Sequence, residues 1–288
     1  MNSKELYGNI LKKHSFLCVG LDSDSSLLPS HLSSSNYPIF DFNRAIIDAT
    51  AEYAVAFKPN LAFYEAEGAI GWEQLEKTVE YIRKKDSSIF IIADAKRGDI
   101  GNTANRYAKA FFERMDFDAV TLSPYMGRDS ADPFLKYKDK WAIILALTSN
   151  ASATDFETSG IIADETAISQ AGHPISTAGY PLYRKVIETA MEWGNEDNTM
   201  FVVGATRPER LSEIRDYCPD HFLLVPGVGA QGGTIKEVVR HGMNSRCGLL
   251  VNMSRNIIFA GSGKDFDKIA AEKAKEAACE MASLLNSK

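Results

Sequence analysis

Apolar residues gather along this chain in eight short runs, each closed by polar or glycine-containing turns: "SFLCVGLD", "YAVAFKPN", "SIFIIADAK", "DAVTLSP", "WAIILALTS", "TMFVVGAT", "HFLLVPGVG" and "GLLVNMSR". The runs are rich in β-branched residues and nearly unbroken rather than alternating, which predicts strands buried on both faces, as in a parallel sheet. Between them lie segments of helical period. Trp72, Leu75, Val79 and Ile82, spaced by three and four, predict a helix with one dry face. Eight strands alternating with helices predict a (β/α)8 TIM barrel, with an open doubly wound sheet as the competing arrangement. The stretch "DFDKIAAEKAKEAACEMASLLNSK" reads as a last outer helix with Asp265 as its N-cap.

A chain of 288 residues suits one barrel, for which roughly 250 residues is typical. No linker, low-complexity tract or short repeat divides it, so residues 1–288 are expected to form a single domain. The stretch from 149 to 180 is longer than an ordinary strand-to-helix connection. It follows the fifth strand and would overhang the active-site face of a barrel, either as a tolerated surface insertion or as a lid.

Composition narrows the partners. Hydrophobic residues make up 45% and charged residues 24% of the chain, the balance of an ordinary globule. A formal charge of −6 without basic blocks gives no reason to expect nucleic acid or a membrane surface, and an anionic ligand would need a local cationic pocket. Cys18, Cys218, Cys247 and Cys279 form no CxxC pair and read as thiols of a reducing compartment. With no signal-like N-terminus and no apolar run of roughly 18 residues, a cytoplasmic location is expected. The five histidines show neither HxH nor HExxH spacing, so no metal site is expected.

The chemistry concentrates in "IIADAKRGDI", residues 91 to 100, where a greasy strand ends in Asp94, Lys96, Arg97 and Asp99. Residues i and i+2 of a strand point the same way, so Asp94 and Lys96 should meet at the C-terminal rim, where barrel enzymes place their chemistry. Lys58 occupies the corresponding end of the preceding strand, and Asp99 lies on the turn that opens the next helix. One exposed pair of this kind contributes only about 0 to 1 kcal/mol. Four alternating charges on adjacent strand ends are better explained by function, because desolvation costs several kcal/mol per ion. After the seventh run, "PGVGAQGG" sets Gly227, Gly229, Gly232 and Gly233 before a helix beginning near Thr234, an arrangement that lets backbone N–H groups approach an anion. Arg255, at the end of the eighth run, can add a bidentate contact. Taken alone, Asp22 reads as a turn-capping aspartate and Thr103 as a helix N-cap.

These residues carry a resemblance. "DAKRGDIGNT" is similar to the DxKxxDI(x)xT motif of the orotidine 5′-phosphate decarboxylase family, and "FKPN", "PGVGAQGG" and "NMSR" follow in that family's order, from about Asp22 to Arg255. "FKPNLAFYEAEG" and "SPYMG" resemble its longer bacterial type. The DxKxxD element alone also occurs in related sugar-phosphate decarboxylases and synthases. The resemblance implies conversion of orotidine 5′-monophosphate to uridine 5′-monophosphate, with neither metal nor organic cofactor. It implies a charged network of Lys58, Asp94, Lys96 and, from the second subunit of a homodimer, Asp99, with Lys96 protonating pyrimidine C6. It further implies that Asp22 binds ribose hydroxyls beside Lys58, that Thr103 reaches the neighbouring subunit's ribose, and that Ser149 reads the pyrimidine edge. Gln231 and Arg255 would contact the phosphate, with Gly229 and Gly232 shaping its loop. The chain departs from the family at "NAS", which replaces the proline-glycine expected after Ser149.

Three other readings fit part of the pattern. A class I aldolase would use Lys58 or Lys96 as an imine-forming lysine, although flanking carboxylates favour the charged ammonium instead. A magnesium-dependent sugar-phosphate decarboxylase would bind metal through the same carboxylates. A non-catalytic barrel would bind uridine 5′-monophosphate without turning over its precursor.

Overall fold

The computed structural model describes residues 1–161, 179–229 and 232–287. All eight apolar runs are strands: β1 (Leu17–Leu21), β2 (Ala54–Pro59), β3 (Phe90–Arg97), β4 (Ala119–Leu122), β5 (Trp141–Leu147), β6 (Thr199–Val203), β7 (Phe222–Pro226) and β8 (Leu249–Met253). Each pairs in parallel with the next, and β1 pairs with both β2 and β8, so the sheet closes into a barrel and the open alternative is overturned. The runs are continuous because helices cover the outside while side chains fill the inside. All of β1 and β2 is buried.

The barrel floor is packed by a layer from alternate strands. Trp141 on β5 meets Phe90 on β3 edge-on at 5.9 Å and Phe222 on β7 at 6.3 Å, the layering expected of a filled barrel rather than a pore. Helix α1 (Ser3–Lys13), opened by a capping box of Asn2 and Glu5, covers this end. Lys13 bonds the carbonyls of Ala51 and Ala54, Asn9 that of Ser88, and the Trp141 indole donates to the Met1 carbonyl. Open space is thereby left to the opposite, C-terminal end of the strands.

The outer helices include α2 (Pro38–Thr50), the short α3 (Leu61–Glu65), α4 (Gly68–Lys85), α5 (Gly101–Lys109), α6 (Asp132–Leu135), α7 (Leu182–Met191), α8 (Glu209–Tyr217), α9 (Ile235–Gly242), α10 (Arg255–Ile258) and α11 (Phe266–Leu285). In α4, Leu75, Val79 and Ile82 are buried and Trp72 packs partly against the core, as their spacing predicts. Helix α11 is the expected last helix, and its Phe266 stacks on Phe42 of α2 at 5.1 Å. Asp265 occupies its N-cap position, but the side chain makes no capping hydrogen bond, because the residue has left the extended conformation that aims a carboxylate at the first turn. Thr103 is no N-cap either, since α5 starts two residues earlier and Ile100 holds the cap position.

The long connection after β5 has a defined neck. Gly160–Ile161 pairs antiparallel with Tyr180–Pro181, and the N–H groups of Leu182 and Tyr183 bond the carbonyls of Ser159 and Glu157. The part expected to overhang the site lies chiefly in 162–178, outside the described residues. Among the described residues no helix is long and apolar enough to cross a membrane.

Candidate active site

The C-terminal end of the barrel holds a cavity of about 330 Å³ lined by residues from all eight strand ends and the turns beyond them, Asp22, Lys58, Asp94, Lys96, Ser149 and Arg255 among them. Lys58 is brought here by register. It lies opposite Gly20 of β1, a position where a Cβ would come within 1.9 Å of Ser254 Oγ, so only glycine lets the β8 turn close over β1. Lys58 is 4% exposed, and its Nζ donates to Asp94 Oδ2 at 2.5 Å. Lys96 Nζ donates to the other oxygen, Oδ1, also at 2.5 Å. One carboxylate therefore holds two ammonium groups, one deep and one facing the cavity mouth.

The local backbone explains how Lys96 arrives. Lys96 has φ +47°, a left-handed conformation rare outside glycine. Pairing between β3 and β4 runs from Ala93 opposite Val120 to Arg97 opposite Leu122, so three residues of β3 face the single Thr121, a bulge of the kind that re-aims a side chain at a strand end. The pairing of Asp94 with Lys96 predicted from strand alternation is present, but the bulge produces it rather than the regular pleat. Thr121 Oγ1 lies 3.1 Å from Asp94 Oδ1 and accepts the Lys96 N–H at 2.9 Å.

Charge is unevenly shared among these groups. Burial alone would raise the Asp94 carboxyl, yet the ammonium groups of Lys58 and Lys96 outweigh it and hold it well below the usual carboxylate range. Burial works likewise against the Lys58 ammonium, but Asp94 and then Asp22 prevail and its pKa lies above that of an ordinary lysine. Asp22, just beyond the end of β1, has its Oδ1 buried without a hydrogen-bond partner among the described residues. Beneath them the Cys18 thiol is pushed up to about 12 by burial and stays protonated.

Opposite the charged cluster, the turn after β7 has φ +97° at Gly227, +80° at Gly229 and +92° at Gly232, conformations that side chains resist. It leads into α9, whose N-cap Thr234 accepts the N–H of Glu237. Gln231 falls outside the described residues. Arg255, the first residue of α10, lines the cavity, and no ion pair engages it among the described residues. Ser149 lines it too, just beyond β5. Asp99 and Thr103 are not part of this lining. Asp99 is half-buried and accepts the N–H of Ile100, while Thr103 is exposed on the first turn of α5.

Several cavity residues escaped sequence reasoning: Asn60, Thr121, Thr148, Asn252 and Asn256. Thr121 carries no signal, because a β-branched residue inside an apolar run looks like any strand residue. Asn252 was readable in principle as the lone polar residue within "GLLVNM".

Comparison with known proteins agrees with this geometry. Residues 15–265 match the model of the orotidine 5′-phosphate decarboxylase / HUMPS family. The chain is 52% identical over 285 residues to an orotidine 5′-phosphate decarboxylase from Christiangramia forsetii, covering 99% of both chains. It is 51% identical over 288 residues to one from Flavobacterium johnsoniae, covering 100% of both. Among solved structures, OMP decarboxylase from Leishmania donovani superposes with a TM-score of 0.76 at 32% identity, over 97% of this chain and 100% of that one. The UMP synthase of the same organism gives 0.77 at 34% identity, over 96% of this chain and 57% of that one. A closed barrel with Lys58, Asp94 and Lys96 at its mouth, matched along nearly its whole length, belongs to the orotidine 5′-phosphate decarboxylase / HUMPS family.

Proposed function

We propose that the chain, acting as one barrel domain in the cytoplasm, converts orotidine 5′-monophosphate to uridine 5′-monophosphate at this cavity. The observation that carries the reading is the convergence of Lys58 and Lys96 on the two oxygens of Asp94 at the barrel mouth. In the reaction the bond from C6 to the carboxylate breaks, CO2 leaves, and the electron pair stays on C6. Lys96 stabilises that developing charge and delivers a proton from Nζ to C6; solvent then restores its proton. Asp94 faces the departing carboxylate. Two like charges about 4 Å apart at an effective dielectric near 20 repel by roughly 4 kcal/mol, so relief on losing CO2 is worth about a thousandfold in rate. The larger share falls to stabilisation by Lys96 and to binding of the nucleotide's remote parts.

Those remote parts have candidate receptors on every side. The buried Oδ1 of Asp22, unpartnered among the described residues, suits a ribose hydroxyl, Ser149 suits the pyrimidine edge, and Gly229, Gly232, Gln231 and Arg255 suit the phosphate. An imine-forming role for Lys58 is disfavoured, because its neighbours strengthen the ammonium rather than free the amine. Asp99 and Thr103 are assigned to the cavity of a second subunit in a homodimer. In support, both lie outside their own cavity, and the apolar side chain of Ile100, which lies between them in sequence, is 44% exposed.

The test is loss of orotidine 5′-monophosphate absorbance in purified, EDTA-treated protein. Activity is expected in the wild type and is nearly abolished in Lys96→Ala, which still folds because that side chain is half exposed. Full activity in Lys96→Ala would remove the proton donor and with it the mechanism.

A further inference from the structure

Building on that reading, we propose that Thr121 is a positioning residue for the decarboxylation, its hydroxyl setting the backbone of Lys96 and the carboxylate of Asp94 together. At the β3 bulge, strand pairing skips from Ala93 opposite Val120 to Arg97 opposite Leu122, so the Lys96 N–H has no ladder carbonyl to bond. Thr121 Oγ1 accepts it instead, at 2.9 Å. A backbone N–H can only donate, and a hydroxyl carries a single proton. That proton is therefore directed to Asp94 Oδ1, 3.1 Å away. The chain of bonds runs one way, from Lys96 N–H through the hydroxyl to the carboxylate, and each link polarises the next.

Two consequences follow for the site. The left-handed backbone of Lys96 persists only where its surroundings hold it, and the Thr121 bond is a direct hold on it. The same hydroxyl fixes the rotation of the Asp94 carboxylate, presenting Oδ1 to Lys96 and Oδ2 to Lys58. Thr121 is 1% exposed, so water cannot replace it without opening the β4 end. Valine would keep its shape and branching while deleting both bonds. Serine would keep both bonds.

The experiment compares wild type, Thr121→Val and Thr121→Ser by steady-state kinetics on orotidine 5′-monophosphate, and by exchange of the C6 hydrogen of uridine 5′-monophosphate in D2O. In Thr121→Val, kcat is expected to fall about ten- to a hundredfold, the scale of a hydrogen bond to a charged group, with KM within about threefold. C6 exchange should slow in proportion, because proton delivery by Lys96 is what is mispositioned. Thr121→Ser should recover most of both rates. A purely structural role would lower thermal stability while leaving kcat per folded molecule and C6 exchange unchanged, and that result would overturn the proposal. An active wild type with an equally active Thr121→Val removes the positioning role alone, whereas an inactive wild type removes the decarboxylase reading beneath it.

Discussion

Lys58 Nζ lies 2.5 Å from Asp94 Oδ2 where the two side chains are only 6% and 10% exposed, an ion pair formed almost out of reach of water. Breaking such a pair from one side leaves an uncompensated buried charge. In Asp94→Asn the Lys58 ammonium keeps Asp22 as a nearby anion but loses its direct ion-pair partner, so the variant is expected to lose about 3 kcal/mol of stability at neutral pH. The pH dependence has a definite sign. The folded Asp94 carboxyl lies below its reference value of 3.8, so its share of stability is present above that pH and is lost as pH falls toward the folded value. The folded Lys58 ammonium lies above 10.5, so its share is present below that pH and is lost as pH rises through the folded value. Urea unfolding should therefore show a gap between wild type and Asp94→Asn that is level from about pH 5 to 8 and narrows below about pH 4. A gap that widens in acid would mean the pair is not its source.

The strands were legible because burial on both faces leaves an unbroken apolar signature, and all eight runs became barrel strands. Lys58 was legible for a related reason, since neighbouring parallel strands end at the same rim. The contact of Asp94 with Lys96 was foreseen from alternation, yet it depends on a bulge and a left-handed lysine that no local pattern announces. Such a conformation is imposed by tertiary contacts, here the Thr121 hydroxyl. Thr121 was itself invisible because threonine is at home in any strand. Asp265 and Thr103 show the opposite limit. Both have side chains suited to capping, but whether a side chain caps depends on backbone angles one residue wide.

Gly229 combines φ +80° with a site where a Cβ would fall 2.1 Å from Asn256 Nδ2. Alanine there is strained by about 1–2 kcal/mol and pushes on a cavity-lining side chain. If this turn holds the phosphate, Gly229→Ala should weaken uridine 5′-monophosphate binding about tenfold while leaving the affinity for uridine, which lacks the phosphate, unchanged. Titration calorimetry with both ligands separates the two. Equal weakening of both would assign the turn to the nucleoside instead.

Asp99 follows Lys96 by three residues, yet it does not line its own cavity. If it completes a partner's cavity, every active site draws Lys96 from one subunit and Asp99 from the other. Asp99→Asn and Lys96→Ala homodimers should then each be nearly inactive, for different reasons. In a mixed dimer one site combines the intact Lys96 of one subunit with the intact Asp99 of the other, and the second site carries both lesions. Random exchange of equal amounts makes half the dimers mixed, so about one quarter of all sites should regain wild-type turnover. The recovered rate should rise as exchange proceeds and level off near that fraction. If mass spectrometry confirms mixed dimers and no activity returns, Asp99 does not act across the interface.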